Sequence, residues 1–443
     1  MTEGRPLKLI LQFAFPLLLG NLLQQTYNMI DAAIVGRILG INALAGVGAS
    51  SSVQFLVLGF CIGTCAGFGV PVSKSFGAKN YEEMRSCVFH AMALTAALAV
   101  VMTLFCALFC PRILHILAVP EDIYDNAYQY LLVIFLGIPF TLLYNLLSSI
   151  LRSVGDSRTP FLFLAVSTVL NIFLDFFCIV VLKWGCAGAA IATITAQAVS
   201  GILCLIFICR KFPMLRLEKK DCQIKKSILK QMMIMGFPMG LQFSITAIGS
   251  MVMQSANNGL GSVYVSGFTA GTRIKQFLMC PFDALGTAVS VFCGQNLGAG
   301  KTERIRKGIL EGMFMGISYG IAAGLILIIG GRNLAMLFVN GTEYAVLDAA
   351  EKYLRCLGCF YWSLGILNVC RMGVQGLGFA GRAIFSGVTE MIARIVISMV
   401  FVSRFGFAAI WFGDQAAWVS ACFYIGPVCY LCVKQVMRLQ EKS

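Results

Sequence analysis

Apolar runs of about 20 residues, each long enough to cross a bilayer, recur along the whole of this chain. Twelve are expected, over 9–35, 43–70, 87–110, 125–150, 161–182, 187–209, 229–256, 262–290, 308–330, 345–371, 384–404 and 409–433. Only 12% of the residues are charged, about half the share in an ordinary soluble domain. Inside lipid every backbone N–H and C=O must find its partner within the protein, which helices do locally. The expected fold is therefore an all-α integral membrane protein with twelve transmembrane helices. The first run reads as a span and not as a cleaved leader, since Leu9 onward is too long for an h-region and no small-residue cleavage site follows.

A net charge of +14 raises the question of nucleic acid. The placement of the charges answers it. With both termini inside, the cytoplasmic segments hold 24 Lys and Arg and the outer segments hold 5, Arg37, Arg112, Lys183, Arg332 and Arg404. That is the positive-inside pattern, so the charge is read as a topology signal and no nucleic-acid partner is expected. The 18 Cys are scattered, mostly in apolar runs, where thiols pack as small hydrophobes. Cys356 and Cys359 form the one CxxC-like pair, with no second pair and two His in the chain, so no structural metal site is expected.

The chain also repeats itself. SFGAKNYEEMR (75–85) matches NLGAGKTERIR (296–306) at an offset of 221, pairing Gly77 with Gly298, Glu82 with Glu303 and Arg85 with Arg306. Gly40 and Gly261 keep that offset, Pro16 pairs with Pro238, Gly155 with Gly378 and Gly185 with Gly406. Two pseudo-symmetric six-helix bundles are expected, 1–221 and 222–443. An even number of spans per half makes them parallel repeats about an axis along the membrane normal. Such halves suit a cleft near the midplane, exposed to each side in turn.

The polar residues inside the spans carry the chemistry. An acid near the centre of a spanning helix costs roughly 2.5–3.5 kcal/mol on insertion scales, and it is carried most readily where it binds something. Asp31 lies late in the first span, after Pro16, whose missing N–H tends to kink a helix. In the fifth span Asn171 and Asp175 share one face at i, i+4, roughly 15 and 21 Å from its inner start. Thr193 is about 10 Å from the outer start of the sixth. Asp31 and Asp175 are expected in the outer half, and the four groups, from three helices, are expected to share a depth range. Two neighbouring carboxylates do not both ionise easily, so the set is expected to take a proton, or to hold Na⁺ with the Asn and Thr oxygens. The plainer reading of Asp31 is a helix-end acid at the interface. Gln24, Gln25, Tyr27, Gln242 and Gln254 put polar groups on the first and seventh spans, where a cleft would be lined. In the second half Asp283 follows Pro281 in midspan and is a candidate substrate contact, and Glu390 and Arg394 at i, i+4 are expected to pair as a structural salt bridge. The Gly-Ala loops at 77–85 and 298–306 and the turn at 151–161 read as cytoplasmic staples with no ligand role.

In combination, Pro16, Asp31 and Gly36 in the first span, the two Gly-Ala…Glu…Arg loops, Val154-Gly-Asp-Ser-Arg-Thr-Pro160 and Asn171-x3-Asp175 resemble the multidrug and toxic compound extrusion (MATE) family, along the full chain. The resemblance implies two bundles of six helices flanking a V-shaped cavity, and export of organic cations and other amphipathic compounds in exchange for Na⁺ or H⁺. In one branch of the family the coupling site is in the N-terminal bundle, which by motif falls here on Asp31, Asn171, Asp175 and Thr193, with Thr195 close by as a rival, and a bending proline falls on Pro16. The other branch uses an acid in the seventh span and one late in the tenth, and neither is present. Phe379-Ala380 departs from the expected echo of Asp156-Ser157.

The function expected is secondary active efflux of amphipathic, cationic small molecules by alternating access, from a bacterial-type cytoplasmic membrane, by a single chain with no cofactor beyond the coupling ion. A lipid-linked glycan flippase of the same superfamily is the alternative. A membrane-embedded enzyme is disfavoured, for there is no HExxH, no Walker motif and no Ser/His or Cys/His arrangement around His90 or His115.

Overall fold

The computed structural model describes residues 1–117 and 119–440. Among them the regular structure is helix: α1 (Pro6–Ile38), α2 (Ile41–Gly77), α3 (Tyr81–Ile116), α4 (Glu121–Leu136), α5 (Ile138–Ser153), α6 (Arg158–Phe176), α7 (Gly185–Lys211), α8 (Lys226–Asn258), α9 (Ser262–Gly298), α10 (Thr302–Ala335), α11 (Tyr344–Phe360), α12 (Trp362–Gly376), α13 (Ala380–Val396), α14 (Val402–Phe405) and α15 (Phe407–Gln440). Ten segments are each long and apolar enough to cross a membrane. The other two expected spans are broken: α4 and α5 bend by 48° at Gly137, and α11 and α12 by 57° at Tyr361. Counting each bent pair once gives twelve spans. Side chains such as Leu108, Phe173, Phe314, Ile329 and Phe423 point outward and are exposed, the apolar surface that lipid covers.

The repeat is visible in the backbone. Gly40 and Gly261 have φ of 91° and 106°, Gly155 and Gly378 have 95° and 91°, and Gly185 and Gly406 have 59° and 54°. Each pair sits at or just before the start of a helix, in the left-handed region that costs a residue with a Cβ. The fifth and eleventh spans both loosen into a π-turn, Phe177–Val181 and Ile397–Phe401.

The chain divides into two compact units. An N-terminal unit holds Leu19–Gly240, and a C-terminal unit holds Met1–Leu18 with Leu241–Ser443. This differs from a division at 221/222. Ile10, Phe13, Ala14 and Leu17 of α1 belong to the core of the C-terminal unit, while the first half of α8 lies in the N-terminal one. There Gly67 of α2 and Gly236 of α8 admit close backbone approach: a Cβ on Gly67 would meet the Gly236 Cα at 2.7 Å. Both changes of unit fall just after a proline, Pro16 in α1 and Pro238 in α8. In the C-terminal unit, α10 presents Gly312, Gly316, Gly320 and Gly324 to its neighbours; a Cβ at Gly316 would lie 2.7 Å from the Gly365 Cα, and one at Gly320 2.6 Å from the Trp362 Cα. Small residues four apart let spanning helices touch backbone to backbone.

The Gly-Ala loops are indeed staples, and what they hold is specific. Arg85 Nε donates to Asp221 Oδ2 at 2.7 Å, and the Lys225 N–H donates to His90 Nε2 at 2.9 Å, so α3 grips the segment leading into α8. In the C-terminal unit Arg304 donates to the Gly4 carbonyl at 2.8 Å and Lys301 to the Thr2 carbonyl at 3.0 Å, gripping the segment leading into α1. The residue doing this is Arg304, two before Arg306, the sequence match to Arg85. At the 151–161 turn Asp156 Oδ1 accepts from the Arg158 and Thr159 N–H groups at 3.0 Å each and opens α6.

Candidate functional site

In the N-terminal unit the structure brings Asp31 of α1, Asn171 and Asp175 of α6 and Thr193 of α7 together. All four are buried, at 8, 2, 0 and 7% exposure. The i, i+4 spacing on α6 does place Asn171 and Asp175 on one face, turned inward. With the Asn171 amide oriented to satisfy its neighbours, its nitrogen donates to Asp175 Oδ2 at 3.1 Å and its oxygen accepts from the Thr193 N–H at 3.2 Å. The Thr193 hydroxyl donates to the Ala189 carbonyl at 3.1 Å. Thr195, two residues on, is exposed, so of the two threonines it is Thr193 that belongs to the cluster. The Asp31 and Asp175 side chains are within hydrogen-bond reach of each other. Asp31 Oδ1 and Asp175 Oδ1 have no hydrogen-bond partner.

Two carboxylates in contact, with orphaned buried oxygens, are an incomplete arrangement. A shared proton would join them, or a cation would sit between them. The surrounding oxygens are of the hard kind that suit Na⁺ as well as a proton. Two tyrosines complete the surroundings. Tyr27, one turn before Asp31, has its hydroxyl within reach of the Thr193 side chain. Tyr130 of α4 is buried near Asp31. Tyr27 was readable as a polar group on the first span. Tyr130 was not, because nothing in its own span singles it out from other aromatics.

The remaining candidates separate. Gln24 is exposed and Gln25 half-buried. Gln242 is buried, and its Oε1 accepts from Gln375 Nε2 at 2.6 Å; it ties α8 to α12 and does not line an open surface. Gln254 donates to Asn258 Oδ1 at 2.8 Å. Asp283 on α9 is solvent-reachable, and no salt bridge engages it among the described residues. Glu390 and Arg394 do approach, at 3.5 Å, but as part of something larger. Arg371, the last residue of the expected tenth span, is buried in α12 and bonds to Glu390 and to Ser386. Arg394 also pairs at 3.2 Å with Asp414 of α15, which Lys275 of α9 holds at 2.6 Å and the Tyr353 hydroxyl of α11 at 2.8 Å. Asp414 is thus a further embedded acid of the second half, beside Asp283 and Glu390.

Twelve spans in two repeated halves, with a buried pair of acids in one of them, define a multi-pass membrane transporter. Comparison with known proteins narrows the class. The MatE family model matches residues 16–177 and 238–402, one segment in each half, and the chain belongs to that family. It is 30% identical over 423 residues, 94% of this chain and 91% of the relative, to the probable multidrug resistance protein YpnP of Bacillus subtilis (strain 168). It is 26% identical over 426 residues, 93% and 91% of the two chains, to the probable multidrug resistance protein YoeA of the same organism. An outward-facing structure of a multidrug resistance MATE family transporter of the MOP superfamily superposes with a TM-score of 0.92 at 21% identity, over 98% of this chain and 97% of that one, a likeness of fold. These relatives are transporters and not enzymes.

Proposed function

We propose that this chain exports amphipathic, cationic small molecules from the cytoplasm in exchange for H⁺ or Na⁺, with Asp31, Asn171, Asp175 and Thr193 as the ion site. It works in a bacterial-type cytoplasmic membrane with both termini inside. The observation that carries the reading is the contact between two buried carboxyl groups with orphaned oxygens. An uncompensated pair of that kind is costly in a spanning bundle, and occupation by a cation relieves it. A ligand shifts a two-state equilibrium only by its differential affinity for the two states. The ion must therefore favour the state that holds substrate less well, and substrate the state that holds the ion less well. Pro16, where α1 passes from one unit to the other, is where such a change of shape would be absorbed.

The test is ethidium efflux from proteoliposomes under an imposed Na⁺ gradient, then an imposed pH gradient. One gradient is expected to drive efflux and dissipating it with an ionophore to stop it. Efflux indifferent to both gradients would remove the exchange mechanism.

A further inference from the structure

The charges buried in the C-terminal unit form a chain in which sign alternates. Lys275 meets Asp414 at 2.6 Å, Asp414 meets Arg394 at 3.2 Å, Arg394 meets Glu390 at 3.5 Å, and Glu390 meets Arg371. Their side chains are between 1 and 12% exposed. Three cations and two acids leave one positive charge in excess at the Arg371 end, which is expensive in a low-dielectric interior. Asp283 supplies the sixth charge. Its segment of α9 packs on α12 beside Arg371: a Cβ on Gly286 would meet the Asn368 carbonyl at 3.3 Å and the Met372 side chain at 2.9 Å. Arg371 and Asp283 feel each other electrostatically. Asp283 differs from the other five in being exposed.

Resting on the export reading above, we propose that Asp283 is the docking carboxylate for a substrate's positive charge, and that Glu390 is the positioning residue that keeps it available by drawing Arg371 to itself. Arg371 has one acid in contact, Glu390 of α13, and a second, Asp283, on the α9 segment packed against its helix. Its bonds go to Glu390 and Ser386, not to Asp283. A guanidinium is always charged and pairs with whichever carboxylate is left to it. Remove the Glu390 charge and Arg371 turns to Asp283, closing the site to cations. The alternation is already complete at Asp283, so a docked monocation extends it by one step. A neutral molecule of the same shape gains nothing there.

Binding of tetraphenylphosphonium and of triphenylphosphine oxide, similar in shape and differing in charge, to the purified full chain in detergent tests the proposal. Asp283→Asn is expected to weaken the cation about tenfold and to leave the neutral probe within about twofold, the size of one charge-assisted contact. Glu390→Gln is expected to do the same, Glu390→Asp to recover most of the loss, and the Glu390→Gln/Arg371→Gln double variant to bind the cation better than Glu390→Gln alone. The double variant also keeps the buried charge balanced, so it serves if Glu390→Gln fails to fold. Equal weakening of both probes in Glu390→Gln, or no recovery in the double variant, would show a structural role only and overturn the proposal. So would unchanged cation binding in Asp283→Asn. Ethidium efflux lost in Asp175→Asn and retained in Asp283→Asn would overturn this inference alone, whereas efflux absent from the wild-type chain would remove the export reading on which it rests.

Discussion

At the scale of single residues, the site rests on two side chains whose spacing the sequence displays and on a contact between helices that it does not. Asn171 and Asp175 share a face because four residues turn a helix by about one revolution, and that much is legible in the chain. That Asp31, 144 positions before Asp175, lies against it is a tertiary fact, reached beforehand only through a depth argument and a family likeness. The motif favours Thr193 with Thr195 as its near rival, and it is Thr193 that is buried beside Asn171 while Thr195 is exposed. The pair makes a clean test: Thr193→Ala should slow gradient-driven efflux roughly tenfold, the loss of about one good contact to the ion or to Asn171, while Thr195→Ala should leave the rate as it is. Equal effects would mean that Thr193 plays no part in the site. Asp414 and Arg371 show the opposite case. Each is a single charge whose partner lies in another helix, Lys275 being 139 residues from Asp414, so no local pattern marks them.

At the scale of elements, what holds the crossing helices follows from charge and from close packing. The Asp221 carboxylate is opposed by burial, but the Glu218 N–H and the Arg85 guanidinium outweigh it and hold its carboxyl below the ordinary aspartate range. A lowered folded-state value means that this contribution is complete above the unfolded aspartate range, about 3.9, and is lost as pH falls through the lower folded value. Asp221→Asn should therefore destabilise the purified protein by on the order of 1 kcal/mol at neutral pH and by progressively less in acid, as followed by thermal unfolding in detergent. A destabilisation that grows in acid would contradict the assignment. His90 is linked in the same place. Its Nε2 accepts from the Lys225 N–H and its Nδ1 lies 2.7 Å from the Ser86 carbonyl oxygen. On α10, Gly316→Leu should cost at least about 1–3 kcal/mol, the usual range for overpacking, since even its Cβ meets backbone; a fully stable Gly316→Leu protein would mean that α10 and α12 do not touch there. The breaks in the fourth and tenth spans were unequally visible. Gly137-Ile-Pro139 is a helix-breaking cluster that could be read from composition, but Tyr361 sits in an apolar run with no such mark.

At the scale of the whole molecule, the repeat accounts for most of what could be anticipated. Six spans per half follow from hydropathy, and the paired glycines follow from turns that only a residue without a Cβ adopts freely. The membership of the compact units was hidden, because the exchange of the first halves of α1 and α8 depends on which core Ile10 and Phe13 join, and hydropathy is blind to that. Both helices change unit after a proline, which gives a physical reason to place the moving part of the cycle there. If α1 bends at Pro16 during export, Pro16→Ala is expected to leave ethidium binding within about twofold and to slow efflux by roughly tenfold or more, because a backbone hydrogen bond is already missing there. The account as a whole asks that substrate and ion displace one another through Asp31 and Asp175. That is measured by adding tetraphenylphosphonium to the purified chain in weakly buffered detergent, with a pH indicator for protons and bound radioactive sodium for Na⁺. The wild-type chain should release about one ion per cation bound, and an Asp31→Asn/Asp175→Asn chain should bind the cation and release none. Release of the same amount from both chains, or binding by the wild-type chain with no release, would contradict it.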